Sequence, residues 1–138
     1  MRHKKYLLLA VAMLMTAGCE HAREFHYHIR NGTREDLRIY IDYSISARGH
    51  RQKDTMLIKP GQREQVYTHA GLGGFYTGAI EKIRFSGQDT FEHEWRNRKK
   101  SRINKHFFRR NSWKIIQRSD DHEHYQFTVK TRDFNRSP

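Results

Sequence analysis

Residues 37–45 read Leu-Arg-Ile-Tyr-Ile-Asp-Tyr-Ser-Ile, and this stretch decides the fold class. Leu37, Ile39, Ile41, Tyr43 and Ile45 fall on one side of an extended chain, with Arg38, Tyr40, Asp42 and Ser44 on the other. Side chains alternate across a strand with a period of two, so one face is apolar and the other wet. Five such positions in nine residues fit no single helical face.

The same alternation recurs on both sides. Upstream, Phe25, Tyr27 and Ile29 interleave with His26, His28 and Arg30, and Asn31-Gly32 supplies a turn signal. Downstream, Ser46 to Asp54 reads as a polar loop and Thr55 to Lys59 as a third strand. Pro60-Gly61 follows: proline presets φ at the first turn position and glycine permits φ > 0 at the second, as a type II turn demands. A fourth strand over Glu64 to Thr68 is expected to pair back as a hairpin. Ala70 to Gly74 reads as a flexible loop, and Ile80 to Phe85 and Thr90 to Glu94 as short strands. Trp95 to Asn111 is a basic loop with room for one helical turn. Trp113 to Gln117 and Tyr125 to Lys130 close the chain, with Tyr125, Phe127 and Val129 inward. About seven short strands without an amphipathic helix predict an all-β domain, a single antiparallel β-sandwich or small barrel.

The amino terminus has a different character. Arg2, Lys4 and Lys5 precede the uncharged apolar run Tyr6 to Met15, and small residues Ala17 and Gly18 follow. That order is the pattern of a secretory signal peptide over residues 1–18. Ten apolar residues are too few to span a hydrocarbon core, which takes about 20 in a helix. Thr16-Ala17-Gly18-Cys19 resembles the bacterial lipobox, with Thr16 in place of the usual leucine. The resemblance implies cleavage before Cys19 and covalent lipid on it, with no other cofactor. A thiolate is the nucleophile suited to take up a diacylglyceryl group. Each buried methylene contributes about 0.8 kcal/mol, so two or more chains hold firmly where one binds reversibly. Cys19 is the single cysteine, so no intramolecular disulfide is available and stability must come from packing. Residues 19–23 then form a short tether, residues 24–134 the β-domain and residues 135–138 a frayed tail.

Taken together, the lipobox, the aromatic strand Phe25 to Arg30, the Pro60-Gly61 turn, the Gly71-Leu72-Gly73-Gly74 loop and the closing Tyr125-x-Phe127-x-Val129 strand with Asp133 and Phe134 resemble a group of small Bacteroides-type outer-membrane lipoproteins of unknown function. The resemblance covers nearly the whole chain and implies architecture, not catalysis. Glu20 directly after Cys19 also departs from the aspartate that resembles an inner-membrane retention signal in lipoproteins of the enterobacterial type, and by that resemblance the outer membrane is the expected location.

Charge narrows the choice of partners. Removing Arg2, Lys4 and Lys5 leaves 24 basic residues against 15 acidic ones, a net charge of about +9 with histidine neutral. Ten of the basic residues crowd into Trp95 to Ser119 without one carboxylate: Arg96, Arg98, Lys99, Lys100, Arg102, Lys105, Arg109, Arg110, Lys114 and Arg118. Such a run is stabilised by nearby anions. Its aromatics, Trp95, Phe107, Phe108 and Trp113, have two readings: bases stack on such rings in single-strand nucleic-acid grooves, or the rings simply enter the core. For an exported protein the nearest anions are lipopolysaccharide and phospholipid headgroups, with an envelope protein as the other partner and nucleic acid the least fitting. Arg96, Arg98, Lys99, Lys100, Arg102, Lys105, Arg109 and Arg110 are the expected anionic-ligand patch.

Histidine suggests an alternative. His26 and His28 share one strand face, and so do His122 and His124 if the last strand extends back to residue 122. Two such pairs on neighbouring strands can converge on a tetrahedral zinc, with His93 as a further donor. Hydrolytic chemistry has little to start from. Asp120, Asp121, Glu92 and Glu94 offer carboxylates without a visible cleft. No Gly-x-Ser-x-Gly elbow occurs, and Gly71 to Gly74 lacks the Lys-Ser/Thr of a phosphate loop.

Overall fold

A computed structural model describes residues 21–44, 51–88, 91–101, 103 and 105–134. Residues 1–20, Cys19 among them, and Ile45 to His50, Asp89, Thr90, Arg102, Asn104 and 135–138 lie outside the described residues. The described residues form eight strands: β1 Arg23–Asn31, β2 Leu37–Ser44, β3 Arg51–Ile58, β4 Arg63–Gly71, β5 Ile80–Ser86, β6 Glu92–Arg96, β7 Lys114–Arg118 and β8 His122–Val129. Single 3-10 turns at Arg110–Ser112 and Thr131–Asp133 complete the secondary structure of the described residues. The strands make two four-stranded sheets, ordered β4-β1-β8-β7 and β3-β2-β5-β6. This is a two-sheet sandwich with free edges, not the closed barrel that the alternation also allowed. Each strand overlaps a segment expected from the sequence, but β3 begins earlier than expected, because residues 51–54, read from their polarity as loop, belong to it. Both faces of an edge strand such as β3 tolerate polar side chains, so polarity there says little.

Two further departures concern pairing. The Pro60-Gly61 turn has the predicted geometry, with Gly61 at φ 76° and Gln62 N–H donating to Lys59 O at 3.0 Å. It does not close a hairpin, however: β3 pairs with β2 while β4 pairs with β1, so the turn carries the chain from one sheet to the other. The sheets are also not wholly antiparallel, because β8 returns parallel to β1, with Glu24 beside His122, His26 beside His124 and Tyr27 beside Tyr125. A parallel pair needs a long connection, and here most of the chain lies between its two members.

Alternation sends Phe25, Tyr27 and Ile29 of β1, Leu37, Ile39 and Ile41 of β2, and Tyr125, Phe127 and Val129 of β8 into one core. Phe127 lies at its centre, its ring 5.8 Å from Phe85, 5.7 Å from Trp95, 5.5 Å from Phe107 and 5.4 Å from Trp113. It thereby joins the two sheets, and truncating such a ring to alanine typically costs about 3–5 kcal/mol. In β5 the pairing with β2 skips Glu81, and this bulge turns both Ile80 and Ile83 inward despite their spacing of three. Among the described residues every buried hydrophobic residue lies between Phe25 and Val129, so a chain beginning at residue 21 keeps the whole of this core.

Buried Asn31 locks the corner where the chain changes sheets. Its Nδ2 donates to Glu35 O at 2.7 Å and Ile58 O at 2.8 Å, while its Oδ1 accepts from Thr33 N at 2.9 Å and Thr33 Oγ1 at 2.7 Å. Its backbone bonds Gln62 O and Gly61 N across the second corner. The predicted Asn-Gly turn is therefore a buried junction. A β-carbon on the neighbouring Gly32 would stand 2.8 Å from Val129 O, so this position requires glycine for close backbone approach.

Candidate functional sites on the first sheet

The basic segment connects the edge strand of one sheet, β6, to the edge strand of the other, β7, and so straps one side of the sandwich. Its aromatics serve the core: Trp95, Phe107 and Trp113 are buried, and Trp113 Nε1 donates to Phe107 O at 2.5 Å. Of the two readings of these rings, packing is the one realised. The described cations of the strap fall at more than one place: Arg96, Lys99 and Lys100 line a small concavity with Glu94 and His106, and Arg110 lines a different one. Arg96 pairs with Glu94 at 2.8 Å, and Arg98, Lys99 and Lys100 are exposed beyond the end of β6, Arg98 with φ 63°. Lys105 is half-buried: it donates to Thr128 O and to Asp133 Oδ2 at 2.8 Å, and lies 4.9 Å from the Phe127 ring. Arg109 and Arg110 sit far along the strap, at the 3-10 turn before β7; Arg102 is not among the described residues.

Arg110 belongs to a different constellation, one that sequence order conceals. A cleft of about 580 Å³ is lined by His21, Arg23, Phe25, Leu72, Gly73, Gly74, Phe75, Arg110, Arg118, Glu123 and Tyr125. Three guanidinium groups line it with one carboxylate. Arg118 forks onto Glu123 with two contacts of 3.1 Å, Arg23 approaches it at 3.7 Å, and Tyr125 Oη donates to it at 2.5 Å. Arg110 donates to Trp113 O and lies 4.8 Å from the Tyr125 ring. Burial pushes the Glu123 carboxyl up, but hydrogen bonds from Arg118 and Tyr125 and the charges of Arg118 and Arg23 outweigh it and hold the group below the ordinary carboxylate range. The cleft therefore keeps a surplus of two positive charges. Leu72, on its wall, is 66% exposed in the glycine-rich loop; Tyr76, four residues on and against His69, is 47% exposed.

The histidines do converge. The parallel register of β1 and β8 gathers His26, His28, His122 and His124 on the outer face of the first sheet. His26 Nε2 lies 3.2 Å from His122 Nδ1, and His28 Nε2 lies 2.9 Å from His124 Nδ1. The His26 and His124 rings stack at 4.4 Å. Glu24, unremarked in the sequence, completes a group with His26 and His122. Burial, then the Arg63 charge and the neighbouring histidines, lowers the His28 pKa to about 4. His124 is lowered in the same way, by burial first and then by His26, His122 and Arg63. His93 does not join them: it lies on β6, in the other sheet, its ring 4.4 Å from that of Trp95.

The carboxylates considered for hydrolysis lie apart, Glu92 on Arg84 at 2.9 Å, Glu94 on Arg96, and Asp121 on His21 at 3.0 Å, with Asp120 exposed. Among the described residues, no helix is long and apolar enough to cross a membrane. No protein-family model and no curated protein matches the chain.

Proposed function

We propose that this chain is a lipid-anchored protein of the bacterial envelope, held at the outer membrane through Cys19, and that its domain is a non-enzymatic module binding anionic headgroups. The observation that carries the reading is the composition of the cleft: Arg23, Arg110 and Arg118 with the single carboxylate Glu123, exposed Leu72 on its wall and exposed Tyr76 four residues further along the chain. His21 and Arg23 stand only two and four residues after Cys19, so an acylated Cys19 holds this end of the sandwich within about 15 Å of the bilayer by extended-chain reach. Phosphates of phospholipid or lipopolysaccharide are the anions available there. Cationic side chains near an anionic surface contribute about 1 kcal/mol each, and an exposed leucine and tyrosine suit the interfacial layer.

The test is partition of the lipid-free domain, residues 21–138, onto vesicles with and without anionic lipid. Arg23→Gln with Arg110→Gln is expected to weaken binding about 30-fold at low salt, from two charges at that strength. Leu72→Ser is expected to weaken it several-fold. Arg98→Gln with Lys99→Gln and Lys100→Gln, at the other end of the strap, is expected to have the smaller effect. Equal and salt-insensitive binding by wild type and the cleft variant would refute the proposal.

A further inference from the structure

We infer that Glu24, His26 and His122 form a binding site for a divalent transition-metal ion of the zinc class, with a fourth coordination position open to solvent. The argument is geometric. His26 Nε2, His122 Nδ1 and Glu24 Oε2 form a nearly equilateral triangle with edges of 3.2, 3.3 and 3.4 Å. Donors placed 2.0–2.1 Å from a tetrahedral zinc lie about 3.3–3.4 Å from one another, so the triangle already has the dimensions of one tetrahedral face. Two imidazoles and one carboxylate are a donor set that zinc accepts, and three protein donors leave one position for water or a ligand atom.

A second feature supports the same site. The other ring nitrogen of His26, Nδ1, lies 3.2 Å from Gln65 Oε1, and Gln65 Nε2 in turn donates to Thr68 Oγ1 at 2.8 Å. Gln65 thus accepts the Nδ1 proton, and the Nε2 lone pair is directed at the triangle. A hydrogen bond that fixes tautomer and ring orientation from behind is the usual support of a metal-ligating histidine. His124, stacked on His26, adds a rigid wall. The triangle is open on its solvent side, with Glu24 about half exposed at 51% and His122 at 48%, so an ion has an entry path and the donors are not needed to hold the core.

Zinc titration of the tag-free, chelator-stripped domain 21–138 by calorimetry tests this, and the domain contains no cysteine to compete. The expected result is one zinc per chain, with Glu24→Gln and His122→Ala each weakening affinity at least tenfold and Gln65→Leu weakening it about 10-fold. His69→Gln and His28→Gln are expected to bind as wild type does. Cobalt in place of zinc is expected to give the intense visible bands of four-coordinate geometry. Thermal melts of the apo variants verify that each is folded. Absence of stoichiometric zinc, wild-type affinity in both Glu24→Gln and His122→Ala, or loss of binding in His28→Gln alone would overturn the assignment.

Discussion

Replacing Asn31 asks whether the sheet-crossing corner is held by hydrogen bonds or merely filled. Its side chain makes four, to Glu35 O, Ile58 O, Thr33 N and Thr33 Oγ1, and the residue is fully buried. In Asn31→Ala the Thr33 hydroxyl keeps Glu35 O, 3.0 Å away, so these two groups remain served. Ile58 O loses its Asn31 donor and Thr33 N–H its acceptor. A buried group left unsatisfied costs about 1–3 kcal/mol, so two place the loss near 4 kcal/mol, a large share of the 5–15 kcal/mol typical of a domain. Asn31→Asp is the sharper variant. It preserves volume and the Thr33 bonds, yet sets a carboxylate oxygen against two carbonyl oxygens at the Nδ2 position. We expect it to destabilise at least as much as alanine. Urea unfolding followed by fluorescence of buried Trp95 and Trp113 measures both, as a lower midpoint at unchanged m. An aspartate variant within about 1 kcal/mol of wild type would show that shape, not hydrogen bonding, holds the corner.

Two further predictions concern pH. Because the Glu123 carboxyl is held below its unfolded value, its contribution is present above the unfolded pKa of about 4.3 and is lost as pH falls towards the folded one. Glu123→Gln is expected to flatten that limb of the acid-unfolding curve and, by freeing one guanidinium charge, to tighten vesicle binding about fivefold; a variant with unchanged acid dependence and unchanged binding would contradict both parts. Tyr43, whose Oη donates to Val66 O at 2.8 Å, is pushed up by burial to about 12, and Tyr27 likewise. An unfolded tyrosine ionises near 10, so stability is complete below that pH and declines between 10 and 12. Tyr43→Phe is expected to lose about 1 kcal/mol at neutral pH while making the alkaline decline shallower, read by denaturant melts at stepped pH.

Much of the sandwich is legible in local pattern. The Leu37 to Tyr43 alternation, the Phe25 to Ile29 alternation and the Tyr125 to Val129 alternation all become core faces, since a strand half buried on a core must alternate wherever it pairs. Gly61 was readable as a type II turn for the same local reason. Residues 51–54 were misread because an edge strand need not show alternation. The Glu81 bulge was invisible because two-against-one pairing is set by the neighbouring strand.

The candidate sites divide along the same line. By itself, the sequence determined an all-β chain with a lipobox-like start, an excess of positive charge, and paired histidines spaced to share strand faces. Only the tertiary structure decided that β8 lies parallel to β1, which joins His122 to His26 across 96 residues and adds Glu24. Only it set Arg110 apart from Arg96, Lys99 and Lys100 and drew it with Arg23 and Arg118 into one cleft. Side-chain period is a property of the backbone over a few residues, and so is written locally. Which strands become neighbours is decided by burying all their apolar faces at once, a collective outcome of packing that no short stretch of sequence contains.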